Sequence, residues 1–262
     1  MQLGICADPA IMAGLSQPFP FDFIEGHVQN FLKPEAADAE FSFNAAALRN
    51  CARSMPAANC FLPADLKITG PSINYPRLDH YAATAFRRAN EIGMTVIVVG
   101  SAGARMVPEG FSTAHAFEQF VDILRHFAPV AQAEGVTLVV EPLNRGECNL
   151  VNTILEGAEV VERVAHPHVK LLVDIFHMLR NGEAADDILK VGHLVHHAHI
   201  AENKDRAAPG VNGDDLRPFY RALRSSGYGG RLTIEAVWTD LAAQVNPAVA
   251  ALKMQMAAAG WK

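Results

Sequence analysis

The chain has 262 residues, of which 50% are hydrophobic and 19% are charged, so it has ample material for a packed core and not the composition of a disordered protein. Its 22 basic and 28 acidic residues give a net charge of -6, which offers no electrostatic footprint for nucleic acid or for an anionic membrane surface. The first basic residue is Lys33, and no apolar run is long enough to cross a bilayer. We therefore expect a cytoplasmic protein that binds neither nucleic acid nor membranes.

Short apolar runs alternate with helical patterns along the whole chain, with no low-complexity tract or Pro/Gly/Ser linker between them. This alternation is typical of βα units. Continuous β-branched runs such as Val96–Val99 favour strands that are buried on both faces, as in a parallel sheet under helices. In chain order, the eight predicted strands are Gln2–Ala7, Phe21–Ile24, Asn59–Leu62, Met94–Gly100, Val136–Val140, Val169–Val173, Leu194–Ala198 and Arg231–Ile234.

Helical periodicity and capping signals fill the intervals between these runs. Apolar residues recur at helical spacing from Phe117 to Ala131, and Gly135 follows as a stop signal. Thr153 with Glu156 makes a capping box for a helix that ends before Pro167. The other predictions are helices from Leu78 to Gly93, Ala45–Ser54, Asp215–Ser226 and Pro247–Ala259, a long loop from His27 to Phe43, and a short first βα unit between Ala7 and Phe21.

Eight strands with intervening helices most economically make a single (β/α)8 TIM barrel domain over residues 1–262. A doubly wound open sheet is the alternative. However, no Gly-x-Gly-x-x-Gly turn follows the first strand, and the nearest glycine-rich segment, Gly100–Arg105, follows the fourth. A nucleotide-binding site of that kind is therefore not indicated.

Polar residues stand directly after four successive apolar runs of the second half of the chain. These residues are Glu141, Asp174, His199 and Glu235, each roughly one βα unit of about 30 residues from the next. Because active sites of TIM barrels form at the carboxyl ends of the strands, we expect the four side chains to meet in the barrel mouth.

Three carboxylates and an imidazole in a partly buried site need compensation, because like charges and desolvation both disfavour the ionised forms. A divalent cation provides it. Oxygen-rich ligation with one nitrogen favours Mn2+, Mg2+ or Co2+ in octahedral coordination, and a closed tetrahedral Zn2+ site fits this ligand set less well.

Four segments around these residues resemble the metal-site motifs of the xylose isomerase-like barrel superfamily. Within it they are most similar to the sugar phosphate isomerase/epimerase group that includes the ketose 3-epimerases. The resemblance runs from about Val96 to Val237. The segments are Val139–Arg145, Leu172–His177, His197–Glu202 and Thr233–Ala236.

The resemblance implies one divalent cation held by Glu141, Asp174, His199 and Glu235. It also implies substrate contacts through residues that match the family's positions; these are His177, Arg206 and Glu147. Arg105, which follows the fourth strand, is a further candidate for a substrate phosphate or carboxylate, or for an ion pair with Glu147.

The reaction implied by the resemblance is epimerisation or isomerisation of a small sugar or sugar-like molecule. The cation stabilises the enediolate that forms after proton abstraction, and Glu141 and Glu235 face opposite sides of the reacting carbon as the acid–base pair. Substrate identity, phosphorylation state and self-association into a homo-oligomer stay open.

Three other functions are compatible with the same sequence. A metal-dependent dehydratase of the inosose or dehydroshikimate type begins with the same proton abstraction. An apurinic-site endonuclease uses the same barrel, but its multi-zinc cluster needs more histidine ligands and a basic face. A catalytically silent sugar-binding barrel would bind metal and ligand without proton exchange at carbon.

Overall fold

The computed structural model describes residues 1–13, 19–51 and 53–261. Strands and helices alternate along it, as the pattern of apolar runs predicts. The strands are β1 (Gln2–Cys6), β2 (Phe23–His27), β3 (Ser54–Asn59), β4 (Val96–Val99), β5 (Thr137–Val140), β6 (Val169–Asp174), β7 (Val195–Ile200) and β8 (Arg231–Ile234). The helices are α1 (Pro9–Ala13), α2 (Asp38–Asn50), α3 (Tyr75–Glu91), α4 (Ala102–Arg105), α5 (Thr113–Ala133), α6 (Ile154–Val164), α7 (Ile175–Asn181), α8 (Asp187–Val191), α9 (Arg217–Ser225) and α10 (Leu241–Ala258).

The eight strands form one closed parallel barrel. Each strand pairs with the next along the chain, and β8 pairs with β1 so that Gly4 lies opposite Thr233. The predicted (β/α)8 barrel is thereby confirmed, and the open, doubly wound sheet is excluded. In the part of the chain that is described, no helix is long and apolar enough to cross a membrane.

The third strand lies earlier in the chain than predicted. Its residues Ala57 and Ala58 pair with Val96 and Ile97 of β4, so the apolar run after residue 59 is not strand. Cys60 has a φ of 52°, a left-handed conformation that ends the extended backbone. Asn59 consequently stands at the carboxyl end of β3, where it faces the barrel mouth.

The predicted loop from His27 to Phe43 is wrong, because much of this segment is helical. A π-helical turn covers Val28–Leu32, and α2 begins at Asp38 with acidic residues in its first turn, where the helix dipole favours them. Alanines separate the few large buried residues of α2, so its periodicity is weak in the sequence. The predicted first βα unit contains α1, and its residues 14–18 lie outside the described residues.

The core has two parts. A small cluster fills the inside of the barrel, and a larger one lies between the strands and the surrounding helices. The inner cluster consists of Ala57, Val96, Val98, Val139 and Leu172. Above it, toward the carboxyl ends of β2, β7 and β8, the buried side chains become polar. The apolar floor thus excludes water beneath the polar mouth.

The predicted capping box at the start of α6 is present: the Thr153 side chain accepts from the Glu156 amide, and the Glu156 side chain accepts from the Thr153 amide. A second carboxylate, that of Glu183, accepts the amide hydrogen of Ile154 at 2.8 Å. Both acids stabilise exposed amides at the helix start. Partial burial, however, raises the pKa of Glu183 to about 7.

This raised pKa predicts that the protein loses stability as pH rises from about 4 to about 7. The folded protein keeps a proton on Glu183 that the unfolded chain, with a pKa of about 4.3, releases. Glu183→Gln should flatten this part of the pH dependence of the free energy of unfolding, measured by urea denaturation at each pH. Glu162→Gln, which changes an exposed residue of α6, is the matched control. Identical pH profiles for wild type and Glu183→Gln would contradict the prediction.

Candidate active site

The four polar residues at the strand ends lie together at the carboxyl end of the barrel. Glu141 follows β5, Asp174 is the last residue of β6, His199 lies within β7, and Glu235 follows β8. One ligand atom from each residue lies within 4.8 Å of those of the other three. We call these four residues the acid cluster. The parallel barrel produces this convergence because every strand ends at the same rim.

Two buried atoms of the acid cluster have no hydrogen-bond partner among the described residues: Nδ1 of His199 and Oε1 of Glu141. His199 Nδ1 lies 3.0 Å from Glu235 Oε2 and 3.4 Å from Glu141 Oε1, without hydrogen-bond geometry. Unsatisfied buried polar atoms are costly, and here the two atoms lie 3.4 Å apart. A divalent cation satisfies all of them, so the donor set fits such an ion.

A fourth carboxylate, that of Glu25 in β2, is buried beneath the acid cluster. It lies 2.7 Å from His197 Nε2, 2.8 Å from His199 Nε2 and 2.7 Å from the Thr233 hydroxyl. An ionised carboxylate only accepts hydrogen bonds, so both imidazoles donate from Nε2. A neutral His199 therefore carries its proton on Nε2 and leaves the Nδ1 lone pair facing Glu141 and Glu235, the position that either a second proton or a cation would occupy.

The charges of the acid cluster push the pKa values of its two glutamates in opposite directions. Burial raises the pKa of Glu141, and the neighbouring Glu235 raises it further. Burial alone would also raise the pKa of Glu235, but the positive charges of His199 and Arg206 lower it. Burial disfavours a charged His199, yet the surrounding carboxylates raise its pKa well above the ordinary value. The cluster therefore favours a positive charge at its centre.

The predicted substrate contact His177 lies in the first turns of α7, next to Asp174. Its Nδ1 accepts the backbone amide hydrogen of Asn144 at 3.1 Å, so its proton is on Nε2. That nitrogen lies 3.5 Å from Asp174 Oδ2, and the imidazole is buried. The side-chain amide of Asn144 also donates to Glu147, and so it connects His177 with the rim of the site.

Arg206 lies in a short 3-10 turn, Lys204–Arg206, after β7. Asp205 and Arg206 have φ values of 60° and 49°, conformations that cost energy in non-glycine residues. The guanidinium packs over the ring of Phe176 at 4.6 Å, bonds the carboxylate of Glu235, and lies 3.3 Å from Asp174 Oδ2. The structure thus brings Arg206 into direct contact with two members of the acid cluster.

A buried carboxylate holds the loop that carries Arg206. Glu202 lies directly after β7 and is fully buried. It accepts four backbone amide hydrogens from the later part of the loop, those of Gly210, Asn212, Gly213 and Asp214. Several amides directed at one carboxylate make strong, charge-assisted hydrogen bonds. The loop is therefore closed on itself, and this closure fixes the strained turn at Arg206.

The remaining two candidates lie in different surroundings. Glu147 is at the rim, with an exposed side chain that accepts from Asn144 and lies 3.9 Å from Arg206. Arg105 does not reach the acid cluster, which corrects the expectation that it contacts substrate. It is fully buried between β4 and α5, donates to the carbonyls of Val99 and Val151, and packs over the ring of Phe120.

Two adjoining cavities of about 330 and 300 Å³ open over the acid cluster and share Asn59, Cys60 and Glu235. The larger extends along the ends of β1 and β2, toward His27 and Phe31. The smaller extends toward residues that include Ser101, Glu141, Glu147, His177 and Arg206. Together they provide a concave space in which a small polar molecule can reach both glutamates.

Sequence reasoning missed Glu25 and Asn59. The Asn59 amide donates to Glu235 Oε1 at 2.5 Å and fixes that carboxylate from the β3 side. The sequence signal for Glu25 is its place next to the apolar run around Ile24, because a charged side chain that is buried in a strand needs partners. The predicted third strand begins at Asn59, which puts this residue at the amino end of the strand and away from the barrel mouth, whereas in the structure Asn59 is the last residue of β3.

The fold and the acid cluster define a TIM barrel with a candidate cation site at its carboxyl end. A model of the xylose isomerase-like TIM barrel family matches residues 76–257, well over half of the chain. The chain belongs to this family. The resemblance seen in the four sequence segments is thereby confirmed.

Relatives of known name are epimerases and isomerases. The chain is 35% identical to the D-psicose 3-epimerase of Ruminiclostridium cellulolyticum over 120 residues, which cover 45% of this chain and 41% of the relative. It is 27% identical to the hydroxypyruvate isomerase of Escherichia coli over 154 residues, covering 56% and 57%. The matched segments thus span about half the length of these relatives. A D-allulose 3-epimerase from Methylomonas sp. has the same fold, with a TM-score of 0.82, 21% identity, and coverage of 97% of this chain and 98% of that one.

The position of Glu25 predicts that Glu25→Gln weakens the binding of a divalent cation by roughly 10- to 100-fold, because an amide accepts from one histidine only and donates to the other. Titration calorimetry with Mn2+ measures the affinity, and nitrogen-15 shifts of the imidazoles report the tautomers. Thr233→Val removes the third bond to Glu25 and keeps both histidine bonds, so it should bind Mn2+ nearly as wild type does. Unchanged affinity and tautomers in Glu25→Gln would contradict this assignment.

Proposed function

We propose that the protein is a divalent-metal-dependent sugar isomerase or epimerase that works by proton abstraction through an enediolate. The observation that carries this proposal is the acid cluster, with its unsatisfied His199 Nδ1 and Glu141 Oε1 facing a common point. The names of the relatives support the class of reaction. The chemistry of the site supports the roles of its residues.

The residues that would hold the cation are those of the acid cluster. Three carboxylates with one imidazole suit Mn2+, Mg2+ or Co2+, which accept octahedral oxygen-rich ligation, better than tetrahedral Zn2+. Bound there, the cation would supply electrophilic stabilisation of the oxyanion that develops on the substrate. Glu25 would hold the His199 ring in the tautomer that such ligation requires.

Glu141 and Glu235 are the proposed acid–base pair. They follow β5 and β8, which are separated around the barrel by β6 and β7, so their carboxylates approach the cavity from different sides. One removes the proton beside the carbonyl, and the other returns a proton on the opposite face. Asn59 and Arg206 orient Glu235.

The charge of the cavity favours an uncharged substrate over a sugar phosphate or a keto acid. Several carboxylates line the two cavities, whereas Arg206 is the one lysine or arginine among their described lining residues. Its guanidinium is already engaged by Asp174 and Glu235. Phosphate recognition relies on Arg, Lys or free amides. A neutral ketose or aldose, with His177 and Glu147 on its hydroxyls, therefore fits best.

The cation proposal predicts that added Mn2+ stabilises the protein. Binding to the folded state at 100 times the dissociation constant contributes about 2.7 kcal/mol, which raises Tm by roughly 5 to 10 °C. Asp174→Ala and His199→Ala should abolish this rise, because alanine offers no ligand atom. Asp215→Ala, which changes an exposed acid paired with Arg217, should retain it. Elemental analysis that finds no uptake of Mn2+, Mg2+ or Co2+ would contradict the proposal.

The acid–base proposal predicts that Glu141→Gln and Glu235→Gln each lower turnover by roughly 100- to 10000-fold while they keep a weakened cation. The measurement is deuterium incorporation at carbon from deuterated water, with a panel of ketoses, aldoses and their phosphates. Wild type should act on the free sugars. One of the two variants should still exchange the proton that faces its remaining carboxylate. Full epimerisation by Glu235→Gln would rule out the paired mechanism and indicate a single base or a hydride shift.

A further inference from the structure

The opposite end of the barrel contains a wide concavity of about 880 Å³. It lies at the amino ends of the strands, whereas the acid cluster lies at their carboxyl ends. Its wall is formed by the start of β7 and β8 and by the glycine-rich segment Gly227–Gly230. No aspartate or glutamate is among its described lining residues, whereas His193, His196 and Arg231 are.

The strand register brings three basic side chains to this end of the barrel. Arg231 lies two residues before Thr233, and Lys170 two residues before Leu172; both later residues point into the barrel. Because side chains alternate along a strand, Arg231 and Lys170 point toward the amino end of the barrel. Arg231 lines the concavity, and Lys170 lies outside its lining residues but near enough for its charge to act on His196. His196 is the extra residue of an irregularity between β6 and β7, where Val195 pairs with Leu171 and His197 with Leu172. Such bulges re-aim a side chain.

Arg231 and Lys170 have no acidic partner in the described part of the chain. Arg231 Nε is buried and makes no hydrogen bond, and neither Arg231 nor Lys170 forms an ion pair with any described residue. Some arginines of the surface form such pairs, as Arg77 does with Glu35 and Asp65, and others do not. What distinguishes Arg231 is its place in a concavity with no acidic residue among the described lining residues.

The glycine-rich segment adds backbone donors. The amides of Gly227 and Tyr228 close the end of α9, but those of Gly229 and Gly230 donate to no described residue. An added Cβ at Gly229 would meet no atom within 4 Å, so this glycine is not required by packing. Free amides beside a guanidinium form a suitable setting for an anion.

We propose that this amino-end concavity binds a small phosphate-bearing molecule, with the phosphate held by Arg231 and the free glycine amides and attracted by the nearby charge of Lys170. Arginine matches the geometry of phosphate oxygens with two parallel hydrogen bonds, and lysine adds a second positive charge. His196 lies beside Arg231, so its imidazole resonances should change when an anion binds. The site is independent of the proposed reaction at the other end of the barrel.

Inorganic phosphate is the probe, titrated into the full-length, Mg2+-saturated protein at constant ionic strength while the imidazole resonances are followed by NMR. Partial burial and nearby positive charges lower the pKa of His196, so a bound anion should raise it. We expect a saturable shift of His196 with phosphate. Arg231→Gln should weaken the apparent affinity at least about tenfold, and Lys170→Gln should weaken it less.

Arg217→Gln removes the same charge from an exposed, paired arginine of α9 and controls for general electrostatics. It should leave the affinity unchanged. Arg231→Lys keeps the positive charge at the start of β8 but loses the paired N–H donors of the guanidinium. It should bind phosphate with an affinity between those of wild type and Arg231→Gln, and it keeps the proposal testable if Arg231→Gln fails to fold. No saturable shift of His196, or equal weakening in Arg217→Gln and Arg231→Gln, would overturn the proposal. Activity on sugars tests the other end of the barrel separately.

Discussion

The concentration of buried negative charge at the carboxyl end of the barrel is the constraint on which the rest of the site depends. Glu141, Asp174 and Glu235 are held within reach of one another, and Glu25 adds a further buried carboxylate below them. Such a group is unstable without positive charge or hydrogen-bond donors. In this structure, side chains from β3, β7, β8 and the loop after β7 donate to these carboxylates; they are Asn59, His197, His199, Thr233 and Arg206.

Each element near the acid cluster contributes to that compensation in its own way. β7 presents His197 and His199 on the same side of the strand, so that one carboxylate, Glu25, orients both. The loop after β7 closes around Glu202, and this closure supports the strained turn that directs Arg206 at Glu235. Glu202 therefore affects the site without touching it. Its buried carboxylate holds the loop through backbone amides, and the loop in turn holds the guanidinium of Arg206 against the carboxylate of Glu235.

The two ends of the barrel have opposite electrostatic character. Acids predominate at the carboxyl end, where a cation fits, and unpaired basic groups predominate at the amino end around Arg231. Between the two ends lies the apolar inner cluster of Ala57, Val96, Val98, Val139 and Leu172, which separates them with low-dielectric side chains. The same strands thus carry both regions, because alternating residues of β8 place Arg231, Thr233 and Glu235 at successive heights.

The sequence by itself determined the barrel and the acid cluster, because both depend on local periodicity: an apolar run ends, and a polar residue follows at the rim. It also determined the capping box of α6, which is a contact between near neighbours. Only the tertiary structure decided what lies across the barrel from those residues. Glu25 is more than 170 positions from the histidines that it orients, and Asn59 is as far from Glu235. Arg105 shows the converse. Its position after a strand indicates the cavity, but the carbonyl of Val99 and the ring of Phe120 hold its guanidinium within the barrel wall.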